Sequence, residues 1–412
     1  MKNNLRKKSL KYSTVEGSLW AFMYGMGENY LSALAVFLGF SALQISFLNS
    51  FPQLIGSILQ LFSNSLLDLF KSTKRFIILL ALMQSVLWLV LIIVIIYHPE
   101  FKYLVAWFIV YFLCNSFIGP AWTSWMGYLV PKRIRGTYYG SRNRIINAFV
   151  LIAILLGGFI LKKYDNNLVN GFLILFTIAF VGRLISVYFL TKKQKSQTSI
   201  IKSKKDFIYF LKQRDTSMFF IFKILLNFAV MFLGPLFTIY ILRTLGLSNF
   251  ILSICTVSWW ISNVFSAKYW GNFSKVHGNM RILKITTIIL SVLPLPWILT
   301  YYSSGYFQIF FIILINLFAG FTFSGFSLAS FNLVYELVEQ KDVVKYSSLL
   351  HLGEGSAIFF GSISAGFIVD SAFINDILVN LDFTSIQFSM LISMLLRFAC
   401  LGYVYKLAKN IK

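Results

Sequence analysis

Twelve stretches of mostly apolar residues, each closed by a short polar break, run through this chain of 412 residues. A helix that crosses the hydrocarbon core of a bilayer needs about 20 such residues. The runs fall at 16–38, 44–68, 76–97, 103–130, 143–161 and 168–191, and again at 217–242, 250–273, 282–302, 306–338, 347–370 and 384–405. Twelve spans use about 240 residues, which leaves only short loops and no room for a sizeable soluble domain. The composition agrees: 58% of the residues are hydrophobic and 12% are charged, where soluble domains carry about 25% charged residues. The expected fold class is an all-α polytopic membrane protein with 12 transmembrane helices.

The net charge of +23 would suggest nucleic-acid binding in a soluble chain, but here the basic residues cluster between apolar runs. The pattern instead sets an orientation, because Lys and Arg accumulate on the cytoplasmic side of a membrane. With the N-terminus inside, the cytoplasmic segments hold 29 of the 37 basic residues and the outside loops four, Lys102, Lys162, Lys163 and Arg243. Both termini are therefore expected in the cytoplasm. The basic N-terminus and the run to Leu38 are read as a retained first helix, since no small-residue cleavage site precedes the second span. Cys114, Cys255 and Cys400 each lie inside an apolar run and read as small packing residues. Thr191–Thr216 is the one long polar stretch. It divides the chain into a six-helix bundle at 1–190, a basic linker at 191–216 and a second bundle at 217–412. Ile200–Leu211 mixes apolar residues with lysines and suits a helix lying on the membrane surface.

The two halves repeat. Leu38-Gly39-Phe40-Ser41 recurs as Leu245-Gly246-Leu247-Ser248 at an offset of 207. At an offset of 208, Leu129-Val130 recurs as Leu337-Val338, Tyr138 as Tyr346, and Gly158-Phe159-Ile160 as Gly366-Phe367-Ile368. Arg183 precedes Lys192 by nine residues, as Arg397 precedes Lys406. A near-constant offset in a constant order indicates two parallel six-helix repeats. This architecture resembles the major facilitator superfamily (MFS) over essentially the whole chain. That family carries a glycine, aspartate and basic-residue loop between its second and third helices, echoed between the eighth and ninth. The stretch Asn64–Arg75 resembles the first copy, keeping Asp68, Lys74 and Arg75 but not the glycines. Gly271–Arg281 resembles the second, keeping Gly271, Gly278 and Arg281 with Lys275 in the aspartate position. The resemblance makes these residues a gating loop in which a carboxylate against helix N-termini latches one state; for Asp68 a solvated charge is the alternative. Pro131–Asn143 resembles the arginine-glycine loop before the fifth helix. That helix lacks the glycine-proline signature of many antiporters of the family, which weighs against a drug-proton antiporter.

Charged groups within spans are costly and usually face a bundle interior or a water-filled cavity. Glu28 sits midway along the first span with Ala21, Gly25, Ser32, Ala35 and Gly39 on the same face at helical spacing. It reads as a proton- or cation-binding carboxyl, or as a hydrogen-bond partner to another helix. Glu354 and His351, three apart on the eleventh span, share a face and read as a proton-handling pair or a packing network. Lys223 and Asn227 are four apart in the seventh span; Lys223 balances a buried glutamate, binds an anionic solute, or snorkels to the interface. Arg183 and Arg397 read as structural. The resemblance places the first, fourth, seventh and tenth helices around the central cavity. On that basis Tyr24, Glu28 and Asn29, then Asn115, Trp122 and Trp125, then Asn227, and finally Ser324, Ser327 and Asn332 become substrate or coupling candidates. Their aromatic content suggests a moderately apolar or ring-bearing solute. Pro52, Pro120 and Pro235 lie within spans and are expected to kink them.

The sequence has no Gly-x-x-x-x-Gly-Lys-Ser/Thr nucleotide loop, no His-Glu-x-x-His zinc arrangement and no Gly-x-Ser-x-Gly elbow. The function expected is a secondary active transporter, not an enzyme. It would move a small organic solute by alternating access, proton-coupled through Glu28 or Glu354. The alternatives are a lipid flippase or non-transporting sensor on the same fold, and a membrane-embedded enzyme. The expected partners are a small-molecule solute, a proton or other coupling ion and the lipid bilayer, with no nucleic acid and no cofactor or metal. A monomer in a bacterial inner membrane completes the expectation.

Overall fold

The computed structural model describes residues 2–60, 72–131, 134–194, 205–339, 342–379 and 382–410. Among them every regular element is helical, as a bilayer requires, since a spanning backbone must satisfy its own hydrogen bonds. Ten helical segments are long and apolar enough to cross a membrane, the first at Thr73–Tyr97 and the last at Ser385–Lys409. Two further helices precede them, Lys2–Met26 and Ala42–Gln60. The chain divides into two units, one of Met1–Leu38 and Ile55–Ile200, the other of Gly39–Leu54 and Ile201–Lys412. The start of the second expected span thus groups with the second unit.

In the first unit, Lys2–Met26 packs against Arg135–Lys163 and Leu168–Lys192, while Thr73–Tyr97 packs against Phe101–Leu129 and Leu168–Lys192. The first expected span is not one continuous helix. It stops at Met26, turns through a 3-10 segment at Glu28–Tyr30 and resumes at Leu31–Phe37. Packing explains why the turn holds a glycine. The Trp88 indole lies so close over Gly27 that a Cβ there would sit 2.4 Å from the ring. The fully buried Trp88 also stacks on Phe176, with centroids 5.4 Å apart. The loop expected before the fifth span is helical from Arg135 onward.

In the second unit, Asn249–His277 packs against Gly305–Leu337 and Arg214–Met231 against Val343–Asp370. Gly361 permits the second approach, because a Cβ there would meet the Phe228 carbonyl at 2.5 Å. The seventh span is broken too: Arg214–Met231 ends before a turn containing Pro235, and helix resumes at Leu236–Ile239. The linker contributes one described helix, Phe207–Lys212. It is only partly a surface element, because Phe210 is buried in the core of this unit while Ile208 remains exposed. Lys205 holds it in place through a 2.7 Å ion pair with the buried Asp342. The Ala42–Gln60 helix is anchored through its first amides, Ala42 and Leu43 donating to the Asp370 carboxylate at 3.1 and 2.8 Å.

The repeat is visible in backbone geometry. Gly39 and Gly246 both adopt positive φ, 80° and 63°. Two residues on, the Ser41 and Ser248 hydroxyls accept from the amides of Gln44 and Ile251, capping the helices that follow. Tyr138 donates to the Leu10 carbonyl, and Tyr346 at the matching position donates to that of Thr216. Both tyrosines tie the penultimate helix of a repeat to its first.

Candidate functional site

The helix break places Glu28 where its carboxylate can be reached from a neighbouring helix. Tyr111 donates to Glu28 Oε1 at 2.7 Å and Asn115 Nδ2 to the same oxygen at 3.4 Å, both from Phe101–Leu129. The chain of contacts continues. Gln84 Nε2 donates to Asn115 Oδ1 at 3.1 Å, and Arg183 donates to Gln84 Oε1 at 2.5 Å. Glu28, Asn115, Gln84 and Arg183 therefore form one hydrogen-bonded line across four helices, and Gln84, Tyr111 and Arg183 are almost wholly buried. A carboxylate and a guanidinium at the two ends of an amide relay keep the charges balanced without direct contact. Gln84 and Tyr111 were not anticipated from the sequence. Gln84 is nevertheless the only carboxamide in the 76–97 run, and that was the available signal.

Beside this line opens a cavity of about 330 Å³ within the first unit, lined among others by Glu16, Trp20, Asn115, Trp122, Arg142 and Arg183. Arg142 in its lining and the nearby Lys193 are each held on an aromatic face. The Arg142 guanidinium lies 4.5 Å from the Trp122 ring centre, and Lys193 Nζ lies 4.4 Å from that of Trp125. Lys193 also faces Glu16 at 3.5 Å, with both side chains buried. Burial pushes the Lys193 ammonium below the usual lysine range, against the pull of Glu16 and with the repulsion of Arg142.

In the second unit Lys223 Nζ pairs with Glu354 Oε1 at 2.8 Å, while His351 Nδ1 approaches Glu354 Oε2 at 3.5 Å. Lys223 also lies 4.9 Å from the centre of the Phe326 ring. Two expected groups, Lys223 and the His351–Glu354 pair, thus meet in one cluster. Asn227 stands apart from it, its amide donating to the Lys223 carbonyl one turn back.

The remaining candidates scatter. Tyr24 stacks on Trp20 at 5.6 Å and Asn29 is half-buried in the turn after Glu28. Trp122 lines the cavity, whereas Trp125 is fully buried with its indole donating to the Gln194 carbonyl at 2.9 Å. Ser324 is buried and Ser327 exposed on the same helix. Asn332 donates to Asn279 Oδ1 at 3.0 Å, and Asn279 donates to Glu336 at 2.5 Å. That network borders the second loop copy: Gly278 ends the preceding helix at φ 76°, Gly271 lies within it, and Arg281 is exposed. In the first copy Lys74 donates to the carbonyls of Thr191 and Lys193 at 2.6 Å each, and Arg75 is exposed. Asp68 lies outside the described residues. Arg397 donates to the Leu290 carbonyl at 2.8 Å, a packing role.

The sequence matches the profile of the Major Facilitator Superfamily over residues 17–362. The chain belongs to the major facilitator superfamily. No curated protein matches the sequence. Solved superfamily-like folds are similar along the full length. A variant of the nucleoside transporter NupG is 13% identical with a TM-score of 0.75, covering 98% of this chain and 99% of that one. A D-xylose-proton symporter is 15% identical with a TM-score of 0.74, covering 97% of each chain. A bacterial homologue of the iron transporter ferroportin is 14% identical with a TM-score of 0.71, covering 99% of each. Identities this low carry the fold alone. This superfamily member is an integral membrane transporter.

Proposed function

We propose that this transporter moves a small organic solute by alternating access and that a proton carried on Glu28 couples the movement. The observation that supports the reading most is the continuous line from Glu28 through Asn115 and Gln84 to Arg183. An ionised carboxylate only accepts hydrogen bonds, whereas a protonated one also donates. Loading Glu28 with a proton would therefore add a donor beside Tyr111 and Asn115, weaken their bonds to the carboxyl and leave Arg183 without its distant counter-charge. A change of both hydrogen-bond pattern and net charge inside a bilayer is large enough to bias a two-state element. The Lys223–Glu354–His351 cluster is a second ionisable group set, in the other unit, that would follow such a change. In this reading Lys74, Arg75, Gly271, Gly278 and Arg281, with Asp68, serve the loops that latch one state. The termini face the cytoplasm of a bacterial cell, as the basic-residue bias supports.

A thermal-shift screen of the detergent-purified protein against metabolites at two pH values tests this. A solute at 100 times its Kd should stabilise the fold by about 2.7 kcal/mol. A pH-dependent shift that Glu28→Gln makes pH-independent is the expected result. A shift whose pH dependence survives Glu28→Gln would remove Glu28 from the coupling role.

A further inference from the structure

We infer that the cavity of the first unit is an organic-anion site, where Arg142 and Arg183 hold the carboxylate or phosphate of a ring-bearing solute against Trp122. This names the solute class and rests on the transporter reading only for its movement across the membrane. Three observations carry it. The first is an imbalance of buried charge. Arg142 and Arg183, which line the cavity, are 8% and 2% exposed, so neither is a solvated surface cation. Glu16 is the one acidic residue lining the cavity among the described residues, and Lys193 already faces it at 3.5 Å. Among the described residues Arg142 has no carboxylate within 4 Å; its Nε donates to the Ser13 carbonyl at 3.3 Å. A buried cation without a counter-ion, as Arg142 is, is costly unless a ligand supplies the charge.

The second observation is an open donor. Arg183 lines the cavity, yet its buried Nε has no hydrogen-bond partner among the described residues. Buried donors of charged groups are rarely left so. Its terminal nitrogens donate to Ser186 and Gln84, so Nε–H is the donor left for one oxygen of a carboxylate or phosphate, a charge-assisted bond. The third is the wall. Trp20 and Trp122 give it aromatic surface, and the Arg142 guanidinium lies over Trp122 at 4.5 Å. A volume of about 330 Å³ lies at the small end of ligand pockets. It suits a single substituted ring.

The test is calorimetric titration of the full-length protein in lipid nanodiscs with benzoate and phenyl phosphate. Benzamide and benzylamine serve as the neutral and cationic counterparts. At least one anion should bind tenfold or more tightly than benzamide, with benzylamine weaker still. A tenfold preference between the two anions assigns the solute to carboxylates or to phosphate esters. Arg142→Gln should weaken anion binding at least tenfold. Arg142→Lys, which keeps the charge without the fork, should recover part of it and shows that the loss is not one of folding. Equal binding of benzamide, preference for benzylamine, no binding of any probe to monodisperse protein, or an unaffected Arg142→Gln variant overturns the inference. Counterflow in proteoliposomes separates the two readings. An anion that binds but never exchanges removes transport and leaves the site, whereas exchange of a neutral solute that ignores Arg142→Gln does the reverse.

Discussion

Lys223 and Glu354 pair at 2.8 Å with side chains only 12% and 21% exposed, so each is the main counter-charge of the other. Removing one partner leaves a partly desolvated charge, which costs more than the pair itself contributes. Lys223→Met and Glu354→Gln should each lower stability by about 1–3 kcal/mol, and the double variant should cost less than the two single losses combined. Additive losses in chemical denaturation would show that the pair is not coupled. Lys205 provides a pH-dependent counterpart outside the spans. Its hydrogen bond to Asp342 raises the ammonium above 10.5, so its contribution is complete below that pH and fades as pH rises through the folded value. The melting temperature of Lys205→Met should therefore fall short of the wild type at pH 8, with the gap closing in strong alkali. A gap that stays constant would contradict this. At this scale the site was half legible. Glu28, Asn115 and Glu354 announce themselves because an ionisable or amide group in an apolar run is expensive. The Gln84–Arg183 contact is not legible, because the two lie 99 positions apart and periodicity within one helix carries no information about such a meeting.

The helices themselves were readable because spanning length and apolar content are properties of each segment alone. Their interruptions were not. At 100° per residue Glu28 belongs to a small-residue stripe, but the break at Gly27 ends that register before Glu28 is reached. At that break Trp88 from another segment is seated on the glycine. Gly27→Ala should accordingly overpack this contact and destabilise the protein by about 1–3 kcal/mol. Shortening the opposing ring in Gly27→Ala/Trp88→Leu should change that cost, since contacting positions are not additive. A neutral Gly27→Ala in denaturation experiments would mean that the Trp88 contact does not set the turn. The seventh span was easier, because Pro235 marks its break in the sequence itself. The helical stretch at Arg135–Asn143 was hidden by its polarity, which reads as loop when burial against neighbours is unknown.

At the scale of the molecule, the duplicated pattern proved the firmest guide. A constant offset of about 207 residues pairs Gly39 with Gly246 and Ser41 with Ser248, and both pairs share backbone or capping geometry. The matched tyrosines Tyr138 and Tyr346 hold equivalent helices. Yet the two repeats have diverged in their interiors. One holds a relay ending in Arg183 beside a cation-rich cavity, the other an ion pair capped by a histidine. Such asymmetry is what a transporter needs if one half carries the coupling charge and the other answers it. The most direct measurement is uptake into proteoliposomes of a solute identified by thermal shift, with and without an imposed pH gradient, for wild type and Glu28→Gln. The account predicts gradient-driven accumulation by the wild type, and for Glu28→Gln exchange of solute without response to the gradient. Accumulation by Glu28→Gln with the gradient dependence of the wild type would contradict it.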